Sequence, residues 1–170
     1  MILRALLYYL FAPVTQAHVN TCPADGVDLR QYLGRWYELA RLETPFEKGL
    51  EEVFAEYRMQ SDGNISISNY GRRMADGKRR EAHAVGTPAG VGCLCVSFIP
   101  YLRFLCTAYN ILAVDEFYRN ALVSNNTGTC LWFLSRCPQI VPDDFERLKS
   151  EALRRGFDLS ALHYTQHRYR

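Results

Sequence analysis

The sequence predicts an all-β protein: an eight-stranded antiparallel up-and-down β-barrel with a C-terminal α-helix packed outside it. Three observations predict this class. Eight segments with period-two alternation follow one another along the chain. The connections between them are short and rich in Gly, Asn and Asp. A single stretch, near the C-terminus, carries helical spacing. A two-sheet sandwich would use the same strands and is the alternative.

Composition sets the bounds. Of 170 residues, 48% are hydrophobic and 22% charged, which suits one globular domain with a sizeable core. Twenty basic and eighteen acidic residues give a net charge of +2. That balance carries neither the basic excess of a nucleic-acid partner nor an acidic tail.

Met1–Ala17 reads as a secretory signal. Arg4 supplies a positive charge, "ALLYYLFAPV" is an apolar run too short to span a bilayer, and "TQA" offers small residues for cleavage. Residues 18–170 then form one domain, placed outside the cytoplasm: extracellular, or periplasmic with outer-membrane association. Six cysteines agree with export: Cys22, Cys93, Cys95, Cys106, Cys130 and Cys137. A lipid anchor on Cys22 would want a Leu-rich box ending in Gly or Ala, and "VNTC" departs from it.

The elements follow in order. "VDLRQYL" is a short helical or turn approach to the first strand, 35–42. Strand two, 52–60, alternates Val53, Ala55, Tyr57 and Met59 against Phe54, Glu56 and Arg58. "SDGN" is a hairpin turn, 65–71 is strand three, and "RRMADGK" is a charged loop. Strand four is 80–86, "TPAGVG" turns, and strand five is 93–98. After "IPYLRFL" come strands six (109–115), seven (118–124) and eight (130–136). Pro142 then starts a helix, with Asp143 and Asp144 at its positive end and Phe145, Leu148 and Ala152 on one face. Gly156 stops it.

Loop lengths give the barrel two unlike ends. The turns after strands two, four and six are tight, whereas the connections after one, three, five and seven are longer, so one end is closed and the other is a mouth. Trp36, at the start of strand one, lies at the closed end with Asp115, Tyr118 and Arg136. There the Trp plugs the barrel, Gly34 lets the backbone turn beside it, and Arg136 is placed to lie over the indole, a contact worth about 0.5–2 kcal/mol.

"YLGRWYELAR", "PFEKGLEEVFAEYRMQSDGNISISNYG", "DEFYRNALV", "CLWFLSRCP" and "GFDLSAL" resemble a lipocalin, and more narrowly the bacterial outer-membrane lipocalin and apolipoprotein D branch. The similarity runs from about Val27 to His163. The barrel-closing motif of that family matches Gly34, Trp36 and Tyr37, then Asp115 and Tyr118, then Arg136. The resemblance implies a calyx that binds small lipophilic molecules, fatty acids or lysophospholipids above all, with no cofactor. It also implies that Trp132 faces the ligand and that Cys22 is bridged to Cys130.

Parity from an inward Trp36 predicts the cavity lining: Glu38, Ala40, Val53, Ala55, Tyr57, Met59, Ala82, Ala84, Leu94, Val96, Phe98, Trp132 and Leu134. Strand six is ambiguous between Asn110/Leu112 and Tyr109/Ile111. Glu38 stands out, because a carboxylate in an apolar cup costs several kcal/mol unless paired.

Residues 98–105 place Ile99, Tyr101, Leu102, Phe104 and Leu105 around Arg103 at the mouth. This segment is either a peripheral membrane contact or a lid. The chain is expected to be a monomer or homodimer. An enzyme is disfavoured: no nucleophile elbow or phosphate loop occurs, His163 and His167 fall in an irregular tail, and Cys93 and Cys95 point outward. The other alternative is a secreted interaction module with a filled barrel. Asn64 and Asn125 carry glycosylation sequons.

Overall fold

A computed structural model of the chain describes residues 19–42, 44–45, 47–99, 101–102 and 104–168. The expected signal segment, His18 and Arg103 lie outside the described residues. Helix α1 (Leu29–Tyr32) leads into β1 (Gly34–Leu42), β2 (Leu50–Met59), β3 (Ile65–Arg73), β4 (Arg79–Gly90) and β5 (Cys93–Ser97). Then come β6 (Thr107–Val114), β7 (Asn120–Ser124), β8 (Leu131–Ser135), α2 (Pro142–Arg154) and β9 (Leu162–Tyr164). Strands β1 to β8 pair antiparallel in sequence order, and β1 pairs back to β8, which closes an eight-stranded barrel.

Closure between β1 and β2 covers only Gly34–Tyr37 against Phe54–Tyr57. Above that the two strands part, and the C-terminal tail fills the gap. β9 pairs Ala40–Leu42, Thr165 N donates to Leu39 O, and Gln166 N donates to Glu51 Oε2. The sequence reads this tail as irregular. Its strand arises because the upper half of β1 has an open edge, whose unpaired N–H and C=O groups need partners.

Two features shift the expected boundaries. "TPAG" continues β4 instead of turning: Thr87 pairs with Cys95 and Pro88 with Leu94, and the turn is Val91–Gly92. Pro88 sits where the register slips, the position in a sheet that tolerates a missing N–H. The β3–β4 turn, 74–78, is as short as the 60–64 and 115–119 turns at the opposite end, so among the described residues the mouth is formed mainly by 44–45, 47–49, 98–99, 101–102, 104–106 and 125–130.

Among the described residues there are two cores. One fills the barrel around Trp36, Tyr57, Ile67, Leu94, Val96, Ile111 and Val123. The other lies outside the barrel wall, where Leu148 and Ala152 of α2 pack on Leu39, Ala40, Leu112, Leu122, Leu131 and Phe133. Each fully buried large side chain contributes about 1.5–3 kcal/mol. Helix α2 has Pro142 in its first turn, and Asp143 and Asp144 lie by its positive end.

Candidate ligand-binding site

At the closed end Trp36 is fully buried, and its indole N–H donates to Tyr32 O at 2.7 Å. The Arg136 guanidinium covers the ring, with Cζ 3.9 Å from the centroid, and donates to the carbonyls of Gln31, Arg35 and Tyr118. Gly34 has φ +99°, and a Cβ there would stand 3.2 Å from Arg136 Nη1. Asp115 accepts hydrogen bonds from the backbone N–H groups of Phe117, Arg119 and Asn120, which organises the β6–β7 turn. The Tyr118 hydroxyl accepts from Asp28 N. Five of the six motif residues therefore converge. Tyr37 does not; it faces outward between Phe54 and His167.

Above this plug lies a tyrosine trio. The Tyr57 hydroxyl donates to that of Tyr109 at 2.8 Å, and Tyr109 shares a second hydrogen bond with Tyr32, also at 2.8 Å. Burial pushes the Tyr57 hydroxyl up to about 12 and holds Tyr32 and Tyr109 well above the usual phenol range. All three are neutral near pH 7, so the floor is polar but uncharged. Three O–H groups share two hydrogen bonds, which leaves one hydroxyl hydrogen for an acceptor.

The barrel holds a cavity of about 200 Å³. Nine of the thirteen expected residues line it: Glu38, Val53, Ala55, Tyr57, Ala82, Val96, Phe98, Trp132 and Leu134. Four do not. Ala84 and Leu94 are buried in the core of the closed half, and Met59 is 42% exposed where β2 runs beyond the barrel end. Ala40 is buried on the outer wall against α2, because a bulge between Glu38 and Ala40 turns both Leu39 and Ala40 outward. On β6 the inward residues are Thr107, Tyr109 and Ile111, whereas Leu112 belongs to the outer core.

The same bulge brings Arg41 inward, where alternation would expose it. Arg41 is completely buried. Its Nη1 lies 2.5 Å from Glu38 Oε1, and its Nη2 donates to the carbonyl of Glu47 at 2.8 Å. Thr165 Oγ1 also donates to Glu38 Oε1, and the His167 ring donates to Glu38 O. Thus the expected cost of burying Glu38 is offset by a cation and a hydroxyl. The pair in turn holds the loop that carries Glu47 over the cavity.

Glu47 is a cavity residue that alternation could not reveal, since it lies on a loop. Its carboxylate accepts from the Trp132 indole at 2.9 Å and from Thr44 Oγ1 at 2.6 Å. Burial of the carboxylate, then the Glu38 charge, pushes it up to about 7, against the opposing pull of Thr44, Trp132 and Arg41. Trp132 also stacks near Tyr109, with centroids 6.4 Å apart. A single side chain thereby joins the carboxylate to the tyrosine floor.

Among the described residues, one disulfide is present, between Cys95 and Cys106 across the base of the 98–106 loop. Cys22 and Cys130 are not joined. Cys22 is exposed, whereas Cys130 is drawn into the core by Ser124 Oγ donating to its carbonyl and by its own N–H donating to Asn125 Oδ1. Asn125 is itself 2% exposed, and its amide donates to Thr127 and Thr129, so its sequon offers no accessible nitrogen. On the loop, Tyr101, Leu102 and Phe104 are exposed, while Ile99 and Leu105 are partly buried.

A family model described as "Lipocalin-like domain" matches residues 27–167. The outer membrane lipoprotein Blc of Escherichia coli (strain K12) is 36% identical over 146 residues, covering 84% of this chain and 80% of that protein. Apolipoprotein D of Bos taurus is 31% identical over 163 residues, covering 88% and 84%. Insecticyanin from the tobacco hornworm Manduca sexta superposes with a TM-score of 0.69 at 15% identity, over 90% of this chain and 87% of that one; this likeness concerns the fold alone.

Proposed function

This chain belongs to the lipocalin family, whose barrels bind small hydrophobic molecules, and we propose that it carries a single-chain lipid of the fatty acid or lysophospholipid class outside the cytoplasm. The observation that carries the reading is the apolar cavity under Trp132, walled by Val53, Ala55, Val96, Phe98 and Leu134 and sealed below by Trp36. The protein acts by binding and release, not by turnover. The Cys95–Cys106 disulfide suits an oxidising compartment, as does the signal-like segment ending at Ala17. The similarity to a protein named as an outer membrane lipoprotein supports the same placement.

Tyr101, Leu102 and Phe104 project from the rim of the mouth. They make peripheral contact with a lipid surface while ligand is collected.

The test is a titration of delipidated protein with a lysophospholipid and a long-chain fatty acid, followed by tryptophan fluorescence and calorimetry. Only Trp36 and Trp132 report. Saturable quenching that is lost in Trp132→Phe, with calorimetric affinity retained, is the expected result. Silence from both methods with both lipids would overturn the reading in favour of a filled-barrel interaction module.

A further inference from the structure

Three carboxylates, Glu38, Glu47 and Glu81, and one cation, Arg80, line the cavity among the described residues, and the cation nearest Glu38, Arg41, is already committed behind the wall. Arg41 is engaged by Glu38 Oε1 and by the Glu47 carbonyl, and it does not line the cavity. Glu38 and Glu47 do line it. Glu47 uses both oxygens, for Trp132 and Thr44. Glu38 is different: both of its side-chain hydrogen bonds fall on Oε1, and Oε2 has no hydrogen-bond partner among the described residues. That side chain is only 3% exposed. A carboxylate oxygen held in an apolar cup, beside a second carboxylate and without a donor, is complementary to a donor brought by the ligand.

We propose that Glu38 Oε2, with Glu47 beside it, forms a head-group subsite that selects amphiphiles bearing a protonated amine over those ending in a free carboxylate. This rests on the lipid-binding reading above and narrows its ligand class. An ammonium group donates to Glu38 Oε2 and balances the excess negative charge of the wall. A ligand carboxylate placed at Glu38 and Glu47 meets that charge as repulsion, since Arg41 is already engaged there. Arg80, the one cation of the lining among the described residues, stands on β4, three strands along the barrel from Glu38 on β1, and makes no hydrogen bond or ion pair with Glu38 or Glu47.

The experiment compares three amphiphiles of equal chain length, dodecylammonium, dodecanoate and dodecanol, by calorimetry at about pH 8 with delipidated protein. The expected result is binding of the amine at least about tenfold tighter than the acid, with the alcohol between them. Glu47→Gln keeps a carbonyl acceptor for the Trp132 indole and turns its amide N–H to Thr44 Oγ1, and should cut the amine-to-acid ratio at least about threefold. Glu38→Gln should cut it further, read only if circular dichroism shows the variant folded, since it removes the partner of Arg41. Equal affinities for all three probes, or an unchanged ratio in folded Glu47→Gln, would overturn this subsite and leave lipid binding standing. Failure of all three to bind would overturn both.

Discussion

Arg136 lies flat over Trp36, its guanidinium carbon 3.9 Å from the ring centroid, while its nitrogens bind three carbonyls from three separate segments. One side chain thus ties α1, β1 and the β6–β7 turn to the plug. Arg136→Ala should lower unfolding stability by about 3 kcal/mol, combining a cation–π contact with charge-assisted hydrogen bonds. Arg136→Lys should recover less than half of that, because an ammonium cannot fork to all three carbonyls. Urea unfolding followed by tryptophan emission checks both, and a loss below about 1 kcal/mol for the alanine variant would contradict the assignment.

Glu47 titrates about pH 7, where an ordinary carboxyl titrates about 4.5. Between those values the folded chain keeps a proton that the unfolded chain has released. This group therefore makes stability rise as pH falls through the window, by at most about 1.4 kcal/mol per pH unit. Burial raises it first and the Glu38 charge next, while the Thr44 and Trp132 donors and the Arg41 charge pull it down. Glu47→Gln should flatten the slope of urea midpoints between about pH 5 and 7. An identical slope in the variant would show that Glu47 is not the titrating group.

The Cys95–Cys106 bridge closes a loop of sequence separation 11. Chain-entropy reasoning puts its stabilisation at about 3 kcal/mol. The Cys95→Ser, Cys106→Ser double variant should unfold at correspondingly lower urea and be cut first within 98–106 by added protease. Cleavage elsewhere at the same rate would argue that other contacts order the loop.

Tyr101 is 95% exposed and Phe104 78% exposed on that loop. Replacing Leu102 and Phe104 with Ser should abolish co-sedimentation with liposomes and leave the melting temperature within about 2 °C, since neither side chain is buried. Unchanged co-sedimentation would remove the membrane contact from the proposal.

Trp36, Arg136, Gly34 and Asp115 were legible in the sequence because strand order and loop length alone bring them to one end of an up-and-down barrel. Period-two alternation likewise puts Val53, Ala55, Tyr57, Trp132 and Leu134 on the inner faces of β2 and β8, where they line the cavity, since a wall with an apolar interior favours that period. The carboxylate cluster was not legible. The bulge after Glu38 reverses parity, exchanging Ala40 for Arg41, and Glu47 comes from a loop whose position has no period to read. The tail strand was hidden as well, because its pairing partner is an edge that exists only once β1 and β2 have parted. The sequence by itself determined the barrel, its plugged end and its apolar walls, all of which follow from local alternation and chain order. Only the tertiary structure decided which charges face the cavity, because a single extra residue in one strand, and a loop folded over the mouth, depend on packing between segments far apart in the chain.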